Sequence, residues 1–138
     1  IDGGNHFNVL KISRILRKST PQVEYFLARI AISRAFTCHQ MEAMIATASE
    51  SPPVTLIIDL LNTFYDESVT EIESHALLTA SLGHLKRISI QAPVIVSVGP
   101  NPKPDNRIAL LNDLLDVATH AWQLELSPAK VLQPSLWC

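Results

Sequence analysis

Asp59 is the residue with the most chemical promise. It closes Val54-Thr55-Leu56-Ile57-Ile58, the most uniformly apolar strand-like stretch of the chain. A carboxylate there is costly to bury unless it meets a metal, a proton or a hydrogen-bond donor. In nucleotide-hydrolysing sheets an acid so placed helps to hold Mg²⁺ and its water shell. The plainer reading is an acid that caps a turn. The other candidates are weaker. His6 follows the Gly3-Gly4 turn and reads as a solvent-facing or turn-donating side chain. Cys38 adjoins His39, but neighbours on a helix point in different directions, which disfavours a nucleophile–base pair. His39 reads as a structural hydrogen-bonding group. His75 and His84 are nine residues apart and share a helix face only approximately; no partner has metal-site spacing. Ser97 lacks a Gly-x-Ser-x-Gly elbow. Lys11, Arg14 and Lys18, with Arg17 beside them, lie three and four apart on one helical face and could meet nucleic-acid phosphates. Such a run is more often simply a solvated face.

The elements that must position these groups alternate. Ile1-Asp2 before Gly3-Gly4 reads as a strand end and turn. A helix is predicted over Phe7–Lys18. Thr20 as N-cap and Pro21 at the first position start a short helix over Gln22–Arg29. A short strand over Ile30–Ser33 follows, then a helix over Thr37–Ser49 with Met41, Met44 and Ile45 inward. Ser51-Pro52-Pro53 breaks it. Val54–Leu60 reads as a strand covered on both faces. The long helix runs from Ser68 to about Ile90, with Asp66, Glu67, Glu71 and Glu73 suited to its positive N-terminal end. Pro93–Val98 is a second buried strand, ended by Gly99-Pro100. Pro100–Pro104 is a proline-rich loop, Ile108–Val117 a helix and His120–Leu126 a half-buried strand. Trp122 and Trp137 read as packing groups. The tail Val131–Cys138 either adds an edge strand or hangs free. Alternation of this kind implies a parallel sheet with helices on both faces. In such sheets ligands bind beyond the carboxyl ends of the strands, which are Asp2-Gly3-Gly4-Asn5, Arg34–Thr37, Asp59–Asn62 and Ser97-Val98-Gly99.

Composition bounds the possibilities. The 138 residues suit one domain spanning 1–138. Hydrophobic residues are 47% and charged ones 17%, which excludes a disordered chain. Aromatics are 6%, so the core must be aliphatic. The net charge of -2 gives no whole-surface attraction to nucleic acid. Two cysteines build neither a disulfide framework nor a four-cysteine zinc site. No apolar run reaches the ~18–20 residues that span a bilayer, and no signal peptide is evident. The expectation is a protein of the cytoplasm or nucleoid without a membrane partner. The start at Ile1 rather than Met suggests a fragment or a processed product.

Four segments carry a resemblance. Ile1-Asp2-Gly3-Gly4-Asn5-His6-Phe7 is similar to the Ile-Asp-Thr-Glu-Gly-Thr-Phe segment of RecA/RadA-type recombinase ATPases. Ser33-Arg34-Ala35-Phe36-Thr37-Cys38-His39-Gln40 resembles their Ala-Arg-Ala-aromatic…His-Gln segment. Leu56-Ile57-Ile58-Asp59-Leu60-Leu61 resembles their Walker B strand, and Val94-Ile95-Val96-Ser97-Val98 the strand after it. The order is right, and the segments cover roughly residues 1–100. The resemblance implies a three-layer α/β fold with a mostly parallel sheet, a RecA-like P-loop NTPase core truncated at its N-terminal strand. It implies an ATPase domain of DNA recombination or repair, with ATP and Mg²⁺ as cofactors. Asp59 would hold the metal through water, and Asp2, Asn5 and Ser97 would line the γ-phosphate side. Arg34 and Gln40 would be structural or subunit-contact residues. DNA and further copies or a related subunit would be the partners, in filaments or rings.

The departures point the other way. The family's Gly-x-x-x-x-Gly-Lys-Ser/Thr loop, which cradles the phosphates, has no match in the sequence. The Glu that orients the attacking water falls at Gly4, and the γ-phosphate-sensing Gln falls near Gly99. Asn5 could orient a water but cannot take its proton. This stretch alone is therefore not expected to bind or hydrolyse ATP. The alternative is a non-catalytic scaffold or partner-binding subunit, with the basic stripe and Pro100–Pro104 as partner surfaces.

Overall fold

The computed structural model describes residues 1–48, 54–100, 102 and 107–125. Helix α1 spans Val9–Ser19; Asn8 caps it by accepting the Lys11 N–H at 3.1 Å, and Arg17 and Lys18 sit in its last turn. Both features suit the helix dipole. Helix α2 is short, Val23–Leu27. Thr20 is the C-cap of α1 instead of the N-cap of α2, and its hydroxyl accepts the Gln22 N–H at 3.1 Å. Helix α3, Cys38–Ala46, is capped by Thr37, which accepts from Gln40. Strand β1, Thr55–Ile57, leads into a 3-10 turn over Leu60–Tyr65. Helix α4, Glu71–Ser89, is capped by Thr70, with Glu71 and Glu73 in its first turn as the dipole requires. Strand β2 is Val94–Val96 and helix α5 is Ile108–Val117.

Strands β1 and β2 pair in parallel, with Thr55 opposite Val94 and Ile57 opposite Val96. Two isolated parallel bridges extend this pairing, Asp2 to Ile58 and Asp2 to Arg34. Residues 1–3 thus lie between 33–35 and the end of β1, tied by Ile58 N–H to Ile1 O, Gly3 N–H to Ile58 O and Ala35 N–H to Asp2 O. The core joins Met41 and Ile45 of α3, Ile57 of β1, Phe64, Leu78 and Leu85 of α4, and Leu110 of α5.

The three-layer, mostly parallel RecA-like sheet is corrected by these observations. The chain is mainly helical, and the described residues hold one small sheet of two parallel strands. The expected strand over Ile30–Ser33 is absent; only the Arg34 bridge follows it. Residues 120–125 are exposed and form no strand. Burial explains the difference. In β1 Thr55 and Ile57 are buried, but Leu56 is 44% exposed, and Ile95 in β2 is 54% exposed. An apolar run of this kind suits a strand covered on both faces, whereas the packed core lies on one. Without a second helical layer, the sheet has less surface to bury and its pairing stays short. Residues 126–138 and most of Pro100–Pro104 lie outside the described residues.

Histidine–carboxylate contacts join the helices. His39 Nε2 lies 2.9 Å from Glu73, linking α3 to α4. His84 reaches Glu42 of α3 at 3.3 Å, and His75 reaches Asp113 of α5 at 3.1 Å. Arg107, with a left-handed backbone (φ 59), points its guanidinium at the carbonyls of Phe64, Asp66 and Val69, fixing the chain that enters α4 to the start of α5. No helix among the described residues is long and apolar enough to cross a membrane.

Candidate functional site

The carboxyl ends of the paired segments bring Gly3-Gly4-Asn5-His6, Asp59 and Ser97–Gly99 together. Asp59 has a left-handed backbone (φ 54, ψ 54), an arrangement that costs a non-glycine residue about 1–2 kcal/mol. Ser97 holds it there: its Oγ accepts the Asp59 N–H at 3.0 Å, while its carbonyl accepts the Leu60 N–H. One Asp59 carboxylate oxygen, Oδ1, accepts the Gly99 N–H at 2.8 Å. The other, Oδ2, faces His6 Nε2 at 3.5 Å. The Tyr65 hydroxyl is pushed above its ordinary pKa, first by burial and then by the Asp59 charge.

Glycine is needed at two positions because Asp59 approaches the backbone. A Cβ on Gly4 would lie 2.7 Å from Asp59 Oδ2 and 2.9 Å from its Cβ, and would collide with the His6 ring. A Cβ on Gly99 would lie 3.1 Å from Asp59 Oδ1. The backbone reaches the carboxylate on both sides, so neither position has room for a side chain without movement.

Asp2 has a different place from the one expected. It is 1% exposed, and its carboxylate accepts the N–H groups of His6 (3.1 Å) and Phe7 (3.0 Å), with Arg34 Nε at 3.6 Å. Burial raises its pKa, but the Phe7 and His6 amides and the Arg34 charge outweigh burial and leave it below the ordinary value. Asp2 is thus an internal clamp that folds 3–7 back over the strand ends. Asn5 is exposed on this turn with φ 55, a conformation asparagine tolerates. Asn62 Nδ2 donates to the Gly3 carbonyl at 3.1 Å and closes the turn.

The structure therefore brings Asp59, Ser97 and His6 together, and separates Asp2 from them by function. Lys11, Arg14 and Lys18 all lie exposed on α1, away from the strand ends. Arg34 is a partner of Asp2, and Gln40 Oε1 accepts the Phe36 N–H at 2.9 Å, so both make contacts within the fold. Cys38 is buried and its thiol is pushed up, chiefly by desolvation, which makes it a poor nucleophile. Sequence reasoning missed the His6–Asp59 and Asp2–Arg34 pairs. The signal available was the Gly3-Gly4 turn, which lets residue 6 double back.

Comparison with family models, curated proteins and solved structures finds no match.

ATP with Mg²⁺, which the sequence resemblance implies, does not fit these residues. Asp59 lies at these strand ends; one of its oxygens takes an amide N–H and the other faces an imidazole nitrogen. No group of three or more His, Cys, Asp or Glu side chains is arranged for a metal among the described residues.

Proposed function

We propose that this chain is a non-hydrolysing, partner-binding subunit of a DNA recombination or repair assembly, working in the cytoplasm or at the nucleoid. The observation that carries this reading is the packing of Gly4 and Gly99 against Asp59. These are the positions where the recombinase ATPases it resembles place the water-orienting Glu and the phosphate-sensing Gln. Here both are closed by contact with the Asp59 side chain, one oxygen of which accepts the Gly99 N–H. Among the described residues the one buried side-chain polar atom without a hydrogen-bond partner is Thr55 Oγ1, at the other end of β1 from Asp59. A hydrolytic site needs groups held ready for substrate; these strand ends spend theirs on each other.

The test is ATP turnover by the purified chain with Mg²⁺, with and without single-stranded DNA. The expected result is no phosphate release above the protein-free rate. Mg²⁺-dependent turnover that Asp59→Asn abolishes would overturn the reading.

A further inference from the structure

Helix α1, Val9–Ser19, is two-sided. At 3.6 residues per turn Val9, Ile12, Ile15 and Leu16 share one side, and Lys11, Arg14, Arg17 and Lys18 share the other. An amphipathic helix of a globular protein ordinarily turns its apolar side to the core. This one does not. No residue of α1 is buried, and Val9 is 46% and Ile15 53% exposed. The helix packs chiefly on α2, which has no buried residue either and adds two exposed aromatic side chains, Tyr25 and Phe26.

The charge is as one-sided as the apolar surface. Between Asp2 and Glu24 the chain holds four Lys or Arg, all in α1, and no acid. Among the described residues none of the four forms an ion pair. The whole chain carries a net charge of -2, so this cationic side is local to α1. Basic groups on one side of a helix and aliphatic groups on the other match a surface that is anionic outside and apolar beneath. An anionic lipid leaflet has that layering. A nucleic acid offers the charge without an apolar layer and would leave Val9 and Ile15 in water.

We propose that α1 is a peripheral membrane anchor that lies in the plane of an anionic leaflet. Val9, Ile12, Ile15 and Leu16 would enter the acyl boundary, and Lys11, Arg14, Arg17 and Lys18 would meet the headgroup phosphates. Long basic side chains reach the headgroups from that depth because their stems run along apolar surface. Tyr25 and Phe26, on the helix packed against α1, include a residue type that settles at the membrane–water interface. At 11 residues α1 is about half the length that spans a bilayer, so it can only lie along one. The expectation of no membrane partner followed from the lack of a spanning run, and a helix lying in the interface needs none. This contact uses none of the strand-end residues, so it stands apart from the partner-binding reading.

Co-sedimentation of the full chain with lipid vesicles tests it. Vesicles of equal parts phosphatidylglycerol and phosphatidylcholine should carry the chain down at low salt. Vesicles of phosphatidylcholine alone should bind at least about tenfold more weakly, and added salt should weaken binding to the anionic vesicles. Ile15→Asp puts a charge in the acyl boundary and Arg14→Glu reverses a headgroup contact; each should weaken binding by about tenfold or more. Both positions are exposed, and circular dichroism checks that each variant keeps its helices. Ile72→Asp, at an exposed position of α4, should bind like wild type. A wild-type chain that ignores the anionic vesicles overturns the proposal, as does one that binds both kinds equally. An Ile15→Asp chain that binds like wild type would leave only a surface charge contact and overturn it. So would an Ile72→Asp chain that loses binding as Ile15→Asp does, since the contact would then lie off α1. Capture by polyglutamate or by a single-stranded oligonucleotide, without vesicle binding, would assign the basic side to another polyanion and likewise overturn it.

Discussion

Replacing Gly4 tests the core of the functional reading, because the recombinase ATPases that the sequence resembles carry Glu at this position. The Gly4 backbone does not need glycine for its own conformation, since no glycine among the described residues has positive φ. What it needs is space: a Cβ would sit 2.7 Å from Asp59 Oδ2 and 2.9 Å from Asp59 Cβ. The oxygen could swing away, but the Asp59 Cβ can retreat only by moving a backbone held by Ser97 and Asn62. Gly4→Ala should therefore cost about 1–3 kcal/mol, the usual range for overpacking. Gly4→Glu adds a second carboxylate beside Asp59, and like charges at contact distance destabilise further. Urea denaturation of both variants measures the loss, and phosphate release from ATP measures any gain in turnover. The expected order of stability is wild type, then Gly4→Ala, then Gly4→Glu, with no turnover in any of them. A Gly4→Glu chain as stable as wild type, or one that gains Mg²⁺-dependent hydrolysis, would refute the reasoning.

Two further outcomes follow from the same structure. Asp2→Asn should cost about 2–3 kcal/mol, because the new amide turns a donor toward an N–H and loses charge-assisted bonds. The Asp2 carboxyl lies below its ordinary value of 3.8 in the folded chain, so its contribution is full above that value and disappears as pH falls through the lower folded value. Urea titrations of the wild type and variant at neutral pH and at successively acid pH should show the gap narrowing; a gap independent of pH would refute the role. Arg107→Ala should cost about 2–3 kcal/mol through the carbonyls of Phe64, Asp66 and Val69 left without their donor. Arg107→Gly should be about 1 kcal/mol less harmful than Arg107→Ala, because φ 59 suits glycine. Equal losses by chemical denaturation would contradict the strain assigned to Arg107.

The helices were legible where local rules govern them. The stretches expected to be helical overlap α1, α3, α4 and α5, but sequence reasoning missed the caps Asn8, Thr37 and Thr70, and Thr20 ends α1 instead of starting α2. The sheet was legible in position but not in extent. Val54-Thr55-Leu56-Ile57-Ile58 looks the same whether one face or two will be covered, and the answer depends on helices far away in sequence. Trp122 and Leu124 alternate as a strand would, yet alternation has meaning only beside a neighbour with which to pair, and both stay exposed. At the candidate site Asp59 was legible as an acid at a strand end. What it touches was not, because the contacts come from residue 6 and residue 99, placed by the same parallel pairing that the sequence only outlined.

Asp2 and Asp59 illustrate why residue type alone misassigned the chemistry. Both are acids at the ends of apolar segments, and the resemblance implies Asp2 beside the γ-phosphate and Asp59 on the metal. One is sealed beneath the Gly3–Phe7 turn by two amides and Arg34; the other is shared between Gly99 and His6. Asp59 takes one backbone N–H, from Gly99, while the Gly4 backbone packs closely against its Oδ2 and Cβ. Exposed apolar side chains lie elsewhere, in α1 and at the start of α4, where Leu10 is 71% and Ile72 85% exposed.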